Sequence, residues 1–267
     1  MNFREHVKKK IQEIEYVSDV GSEDLSRMDF SRVYAVKITF TDVSFKQSTF
    51  SSCYFKNCRF IRCDFTGAHF KECYLKGSNF PDSNLKYVTL EKTLIEENVL
   101  ECCLPPEENI ARDLVRSLRV NFIQVGNYEA ANQAAAIEVK LTERHLYNAA
   151  YSRQAYYRSK DKYSGWNRLD FAYKHLKWKV LGYLWGNGES VSNVIYSGII
   201  FILLISISVF SFTPNTFKDA FILTLNEFWG IKNSNPLVFP YPLVLTIGRF
   251  IWVGLFMSIL IKRLAKR

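Results

Sequence analysis

From Leu25 to Leu100 every fifth residue is large and apolar, with Ala35 as the one small member of the series. The series runs Leu25, Phe30, Ala35, then Phe at 40, 45, 50, 55, 60, 65 and 70, then Leu75, Phe80, Leu85, Leu90, Ile95 and Leu100. Two positions before each member from Ala35 to Ile95 stands a small or modest residue, among them Ser48, Cys53, Cys58, Cys63, Ala68, Cys73, Ser78 and Ser83. A helix repeats at 3.6 and a flat strand at 2, so neither gives a period of five. The period marks an internal repeat, and short repeats of this kind predict a solenoid in which each turn covers the core of the next.

Outside the repeat the pattern changes. Phe3, Val7, Ile11 and Ile14 fall at helical spacing, so residues 3–16 are expected to form a helix that caps the first coil, within a capping segment 1–24. Pro105 lands on the apolar position and ends the solenoid, which is placed at 25–104. Pro106 then opens a helix with Glu107 and Glu108 in its first turn, where acids suit the dipole. Ile110, Leu114, Leu118 and Phe122 extend it to residue 124. Gly126-Asn127 breaks it, and an Ala-rich helix from Tyr128 to Tyr157 completes an antiparallel hairpin. In a further helix, Trp166 to Trp185, one side carries Leu169, Ala172, Leu176, Val180 and Leu184. Arg168, Lys174, Lys177 and Lys179 lie elsewhere, with Trp178, Tyr183 and Trp185 as interfacial aromatics. Such a helix lies on the cytoplasmic face of a membrane or is an ordinary third helix of a connector spanning 105–190. Gly186-Asn187-Gly188 is the expected hinge into the C-terminal part of the chain.

Residues 191–267 read as a membrane unit. Val194 to Phe212 is nineteen residues without a charge, and Leu243 to Ile261 is another nineteen interrupted by Arg249. Lys262, Arg263, Lys266 and Arg267, and the basic stretch from Arg153 to Lys179, both suit the cytoplasmic side, so the two spans form a hairpin with both chain ends inside. Between the spans, Thr216-Phe217-Lys218-Asp219 has the form of a capping box. The apolar run Ala220 to Gly230 behind it reads as a short re-entrant helix, tolerated at membrane depth when it is buried in protein or lines water.

Composition agrees with this division. In 267 residues, 48% are hydrophobic and 15% aromatic, and the formal charge is +9 from 35 Lys+Arg against 26 Asp+Glu. Between residues 25 and 100 there are eleven Lys/Arg and eight Asp/Glu, so the rod has no strongly negative surface and mimicry of DNA is not expected. No nucleic-acid partner is expected either. Met1 to Tyr16 carries Arg4, Lys8, Lys9 and Lys10 with no apolar run behind them, unlike a secretory signal. Four of six cysteines (53, 58, 63 and 73) occupy the small position of the repeat and read as buried small hydrophobes rather than disulfides or zinc ligands. Glu138, Glu143 and His145 do not share a helical face. With no nucleophile–base pair, phosphate-binding glycine loop or metal spacing, neither an enzyme nor a cofactor is expected.

The triplets Cys53-Tyr54-Phe55, Cys63-Asp64-Phe65, Ala68-His69-Phe70, Ser78-Asn79-Phe80 and Ser83-Asn84-Leu85 resemble the pentapeptide-repeat family: a small residue, a polar one, then Leu or Phe. The resemblance implies a right-handed quadrilateral β-helix with four pentapeptides per coil, hence four coils and a rod of about 19 Å. Residues 194–263 resemble two-transmembrane potassium-channel-like domains in layout and in scattered residues such as Asp219-Ala220-Phe221 and Thr224-Leu225. Such repeats and such channel domains recur together in bacterial proteins. The fold class expected is therefore mixed: a β-helix, an α-helical connector, and a two-span helical hairpin with a re-entrant pore helix.

That resemblance implies a homotetramer in the bacterial inner membrane with a pore on its axis, Thr216 and Asp219 capping the pore helix. Thr224, Asn226, Glu227, Phe228, Trp229 and Gly230 then form the filter region. Where potassium filters carry Thr-Val-Gly-Tyr-Gly, this chain reads Glu227-Phe228-Trp229-Gly230-Ile231, without the glycines that turn carbonyls inward. The expectation is a pore for monovalent cations with modest selectivity, to which four copies of Glu227 add a carboxylate ring. Arg249 would snorkel outward, face the pore water, or pair with Glu227. Two other functions fit the same residues: a membrane-depolarising toxin or phage-defence effector, and a membrane-anchored scaffold that never conducts.

Overall fold

The computed structural model describes residues 9–188, 190–214, 216–231 and 237–264. The chain divides into two compact units, one ending at Asn148 and one beginning at Ala149.

The first unit is a β-solenoid of about four turns with three helices after it. One sheet carries five parallel rungs: β1 (Lys9–Gln12), β4 (Met28–Ser31), β7 (Thr49–Ser51), β10 (His69–Lys71) and β11 (Thr89–Glu91). A second face stacks β2 (Glu15–Tyr16), β5 (Tyr34–Val36) and β8 (Tyr54–Lys56), continued by bridges Tyr54–Tyr74 and Tyr74–Leu94. The third stacks β3 (Val20–Gly21), β6 (Thr39–Thr41) and β9 (Arg59–Ile61). The fourth is a column of single bridges, Asp24–Ser44–Asp64–Asn84. Five residues make a side and twenty make a coil, so Phe30 sits over Phe50 and Phe50 over Phe70.

The fivefold series points inward throughout. Phe30–Phe50 and Phe50–Phe70 stack with ring centres 4.7 and 4.6 Å apart, and Phe40–Phe60–Phe80 stack at 5.0 and 5.1 Å. Adjacent sides meet edge to face, as Phe60 does with Phe55 and Phe65. The interior is therefore a lattice of offset stacks and T-contacts, both favoured by the ring quadrupole. Two residues after each inward position from Leu25 to Leu90 the backbone turns the corner with positive φ, between 48° and 73°. Gly67 and Gly77 take this conformation freely, whereas Arg62, Asn57 and Asp82 hold it against a penalty of about 1 kcal/mol each.

The small position has a hydrogen-bonding duty as well as a size limit. Ser48, Ser78 and Ser83 each donate a hydroxyl to the carbonyl 23 residues earlier, on the coil below: Leu25, Phe55 and Phe60, at 2.8, 2.8 and 2.7 Å. Cys53, Cys58, Cys63 and Cys73 aim their thiols at the equivalent carbonyls of Phe30, Ala35, Phe40 and Phe50 at 3.4–3.5 Å. All six cysteines are free. Cys103 continues the series, its thiol 3.8 Å from the Phe80 carbonyl, and Pro105 is buried on the next inward position. The repeat thus extends through a proline before it ends.

The expected N-terminal capping helix is not found. Residues 9–21 of the 1–24 segment are strands β1, β2 and β3, a further coil of the solenoid; residues 3–8 lie outside the described residues. Ile11 pairs with Phe30 and Tyr16 with Ala35, nineteen residues apart, whereas Val20 pairs with Phe40 at the regular twenty. One residue is missing between Tyr16 and Val20, so counting back in fives from Leu25 falls on Glu15 and Lys10 and the coil disappears from the pattern.

At the other end, α1 (Val99–Cys102) leads to α2 (Glu108–Gln124), which closes the solenoid. Leu114, Leu118 and Phe122 are buried with the last coil. The backbone there has no following coil to bond, and α2 supplies the partners. Ser117 Oγ accepts from Leu90 N at 3.0 Å, and Gln124 Oε1 from Lys92 N at 2.9 Å. Asn121, fully buried, accepts from Thr93 N and donates to Thr93 O, both at 2.7 Å. A side-chain amide here reproduces the two bonds of a strand neighbour. The helix α3 (Tyr128–Tyr151) returns along α2, with Glu138 bridging Arg116 and Arg119 at 2.9 and 3.1 Å.

In the second unit the Ala-rich helix ends at Tyr151, short of the expected Tyr157, and restarts as α4 (Ala155–Arg158). Ser152 Oγ accepts from Gln154 N at 3.0 Å, a local bond that competes with helix continuation. Then come α5 (Asn167–Trp185), α6 (Val191–Phe212), α7 (Phe217–Trp229) and α8 (Tyr241–Leu264). Gly186, Asn187 and Gly188 all have positive φ, 61°, 52° and 86°, so the expected hinge is a sharp left-handed corner.

Candidate functional site

The site residues expected from sequence lie on α7 and α8. Two helices of this unit are long and apolar enough to cross a membrane, α6 over Val191–Phe212 and α8 over Tyr241–Lys262. They run antiparallel: Lys262 Nζ donates to Gly188 O at 3.1 Å near one end, and Ser208 Oγ meets the Tyr241 hydroxyl at 3.0 Å near the other. Between these contacts Trp252 Nε1 donates to Val194 O at 2.7 Å. Two glycines permit the approach. A Cβ on Gly198 would come within 2.3 Å of Trp252 Nε1, and one on Gly248 within 2.5 Å of the Phe201 ring.

α7 begins as the sequence implies. Thr216 Oγ1 accepts from Asp219 N at 3.3 Å, the N-cap bond, and donates to Asp219 Oδ2 at 2.6 Å, a hydroxyl–carboxylate bond that ties the two capping residues together. The helix packs against α6 and α8 through Ala220, Thr224 and Phe228, one face at i, i+4 and i+8, all buried. Thr224 Oγ1 donates to Ala220 O at 2.8 Å within its own helix. Phe228 lies among Phe201, Trp229 and Trp252. Asn226 and Glu227 are half-buried, while Trp229 and Gly230 are exposed. The structure therefore divides the expected filter residues: Thr224 and Phe228 are buried toward the two long helices, Trp229 and Gly230 are exposed but meet α8 through Trp252 and Arg249, and Asn226 and Glu227 are half-buried.

Gly230 ends α7 with φ 74°. Its N–H donates to Glu227 O at 3.0 Å, and Ile231 N donates to Asn226 O at 2.8 Å, the pattern of a left-handed helix stop. Arg249 from α8 takes the next carbonyl, Nη1 donating to Phe228 O at 3.4 Å. Its guanidinium also lies 5.4 Å from the centre of the Phe250 ring. A Cβ on Gly230 would come within 2.6 Å of Arg249 Nη1, so the glycine serves the arginine's approach as well as the turn. Among the described residues Arg249 makes no ion pair with Glu227. The sequence missed Gly198, Gly248 and Trp252, because nothing in an apolar run marks which small residue faces which indole. Residues 232–236, between α7 and α8, lie outside the described residues.

Elsewhere, no group of three or more His, Cys, Asp or Glu among the described residues is placed to hold a metal. The buried thiols at 58, 63, 73 and 103 are pushed toward the protonated form, whereas contact with Cys73 lowers Cys53. Burial pushes Cys63 up to about 11, and burial together with the neighbouring Cys102 pushes Cys103 up to about 12. Contact with Cys53 and burial push Cys73 up as well.

Residues 23–100 match the family described as Pentapeptide repeat region. This part of the chain is a pentapeptide-repeat β-solenoid. Among solved structures, the chain is similar to a pentapeptide repeat protein (Rfr23) from the cyanobacterium Cyanothece 51142. Identity is 15% and the TM-score 0.19, with 33% of this chain and 64% of that one covered. It is also similar to a trypsin-treated variant of QnrB1, a plasmid-mediated fluoroquinolone resistance protein. There identity is 10% and the TM-score 0.16, over 33% of this chain and 73% of that one. The chain thus spans less than two thirds of the Rfr23 structure it matches. No curated protein matches.

Proposed function

We propose that the chain is a subunit of an oligomeric, membrane-embedded ion channel, a tetramer in a bacterial inner membrane that passes monovalent cations, with both ends on the cytoplasmic side. The solenoid serves assembly or gating. The observation that carries this is α7: a helix capped at both ends, placed between two long apolar helices and buried against both through Ala220, Thr224 and Phe228. An ordinary connecting loop has no need of such a helix.

Solvent exposure supports the membrane part. In α6 and α8 only 28% and 11% of the most apolar window is buried, whereas a core helix of a soluble protein is mostly covered. On α5 the side chains of Leu169, Leu176 and Val180 are exposed in a stripe at helical spacing, while Phe171 and His175 on another side are buried. With Lys174 and Lys177 nearby, that stripe suits the headgroup region of the cytoplasmic leaflet.

The scaffold alternative is favoured by a different observation. Gly230, Ile231 and Arg249 take up the carbonyls of Glu227, Asn226 and Phe228, and the guanidinium offsets the negative end of the α7 dipole. Ion flux into liposomes holding the full-length chain separates the two. Protein-dependent potassium or sodium flux is expected, and an intact oligomer with no flux leaves the anchored scaffold.

A further inference from the structure

The outward faces of the solenoid are not alike. On the other faces Lys71 is paired with Glu91 at 3.9 Å, Arg62 with Asp42 at 2.6 Å and Lys46 with Asp64 at 3.2 Å, each one coil away, while Arg27 bonds the neutral Gln47. The face built on β5 and β8 differs. Its outward residues Tyr34, Tyr54 and Tyr74 stack with ring centres 5.0 and 4.7 Å apart and planes 4° and 18° from parallel, and Leu94 continues the column. Alongside run Val36, Lys56 and Lys76, with Lys37 at the corner. All three lysines are exposed, and among the described residues none makes an ion pair.

We propose that this face docks an acidic segment of a partner protein that also carries aliphatic or aromatic side chains. It rests on the solenoid alone and stands whether or not the channel reading holds. The tyrosines are already ordered by their own stack, so a partner gains apolar contact without paying to immobilise them. Glu96, next in the lysine row, accepts from Gly77 N rather than pairing with Lys76, so an acidic partner supplies the counter-charge that Lys71, Arg62 and Lys46 find one coil away. A second copy docked face to face would set lysines against lysines. Nucleic acid is disfavoured by geometry: bases stack on open ring faces, and both faces of Tyr54 are covered by Tyr34 and Tyr74. The ladder is short, three tyrosines deep, which fits a transient contact.

The test uses the full-length chain in neutral detergent. A short fluorescein-labelled peptide alternating Glu with Leu is titrated by anisotropy, beside its Lys–Leu counterpart, oligothymidylate and phosphatidylglycerol vesicles. Binding of the Glu–Leu peptide is expected, weakening with salt and by about tenfold in the K56E/K76E variant. It is expected to be unchanged in Lys46→Glu on the opposite face. Lys56→Gln with Lys76→Gln repeats the comparison should the charge reversal disturb folding. No binding of the Glu–Leu peptide, equal binding by the variants, or stronger lysine-dependent binding of oligothymidylate or vesicles overturns the proposal. A fall in oligomeric mass on K56E/K76E overturns it too, marking the face as a contact between copies.

Discussion

Arg249 Nη1 donates to the carbonyl of Phe228, joining α8 to the last turn of α7 across 3.4 Å. The cation sits where the helix presents its negative end, which is the favourable sign for both. Replacing it by glutamine is expected to lower stability by about 1 kcal/mol, measured as thermal unfolding in detergent. In the proposed channel Arg249→Gln shifts the reversal potential toward cations, and Glu227→Gln shifts it the other way. Unchanged reversal potentials in both variants would remove the two residues from the pore lining.

The contact between α6 and α8 depends on Gly198. With a Cβ there 2.3 Å from the Trp252 indole nitrogen, Gly198→Val forces that ring away and breaks its bond to Val194 O. A loss of about 2–3 kcal/mol is expected from overpacking plus the lost hydrogen bond, with a red shift of tryptophan emission. Gly254, around whose Cβ nothing lies within 4 Å, is the control: Gly254→Ala should be neutral or stabilising.

Asn121 holds the end of the solenoid. Asn121→Leu leaves both Thr93 N and Thr93 O buried without their partner, at about 1–3 kcal/mol each. Hydrogen exchange checks where the loss falls: protection at Thr93 should collapse, and that at Phe60 should stay.

The core is cooperative along the stack. Phe60 touches Phe40, Phe80, Phe55 and Phe65, so Phe60→Ala should destabilise the solenoid by about 3–5 kcal/mol. Tyr54→Ala, outside on the second face, should cost less than half as much. Urea denaturation followed by far-ultraviolet circular dichroism measures both.

Cysteine ionisation sets an alkaline limit. With Cys63 held near 11 in the fold against 9.0 for the free thiol, the folded state favours the protonated form. The stability this contributes is complete below pH 9 and is lost progressively as pH rises to about 11. Alkylation of the native chain near pH 8 is expected at exposed Cys102 and not at Cys53, Cys58, Cys63 or Cys73. Cys63→Ser should be nearly neutral, since Ser48, Ser78 and Ser83 already make the same bond.

The legible parts of the chain are those where one physical demand repeats. Sixteen inward positions at a fixed step define the solenoid, and a capping box with a terminal glycine defines α7, because each needs particular residues at particular spacings. The first coil is hidden because one missing residue shifts its phase, while Phe3, Val7, Ile11 and Ile14 happen to sit at helical spacing. The role of Asn121 is hidden in another way. It lies on the buried face of an ordinary amphipathic helix, and only the unsatisfied backbone beneath it gives that amide a purpose. Arg249 is visible as a charge inside an apolar run, but its partner is a backbone carbonyl, which leaves no trace in the identity of Phe228.

The solenoid has four sides of five residues to each coil, with a buried apolar side chain and a positive-φ corner at each step from Leu25 to Leu90. Removing one pentapeptide would therefore keep the inward positions apolar but re-pair them along the stack, and would swing the next helix by a quarter revolution about the rod. Removing four would shorten the rod by one storey and restore the original bearing. The sequence carries, in units of five, a dial for the direction in which its attached helices set out.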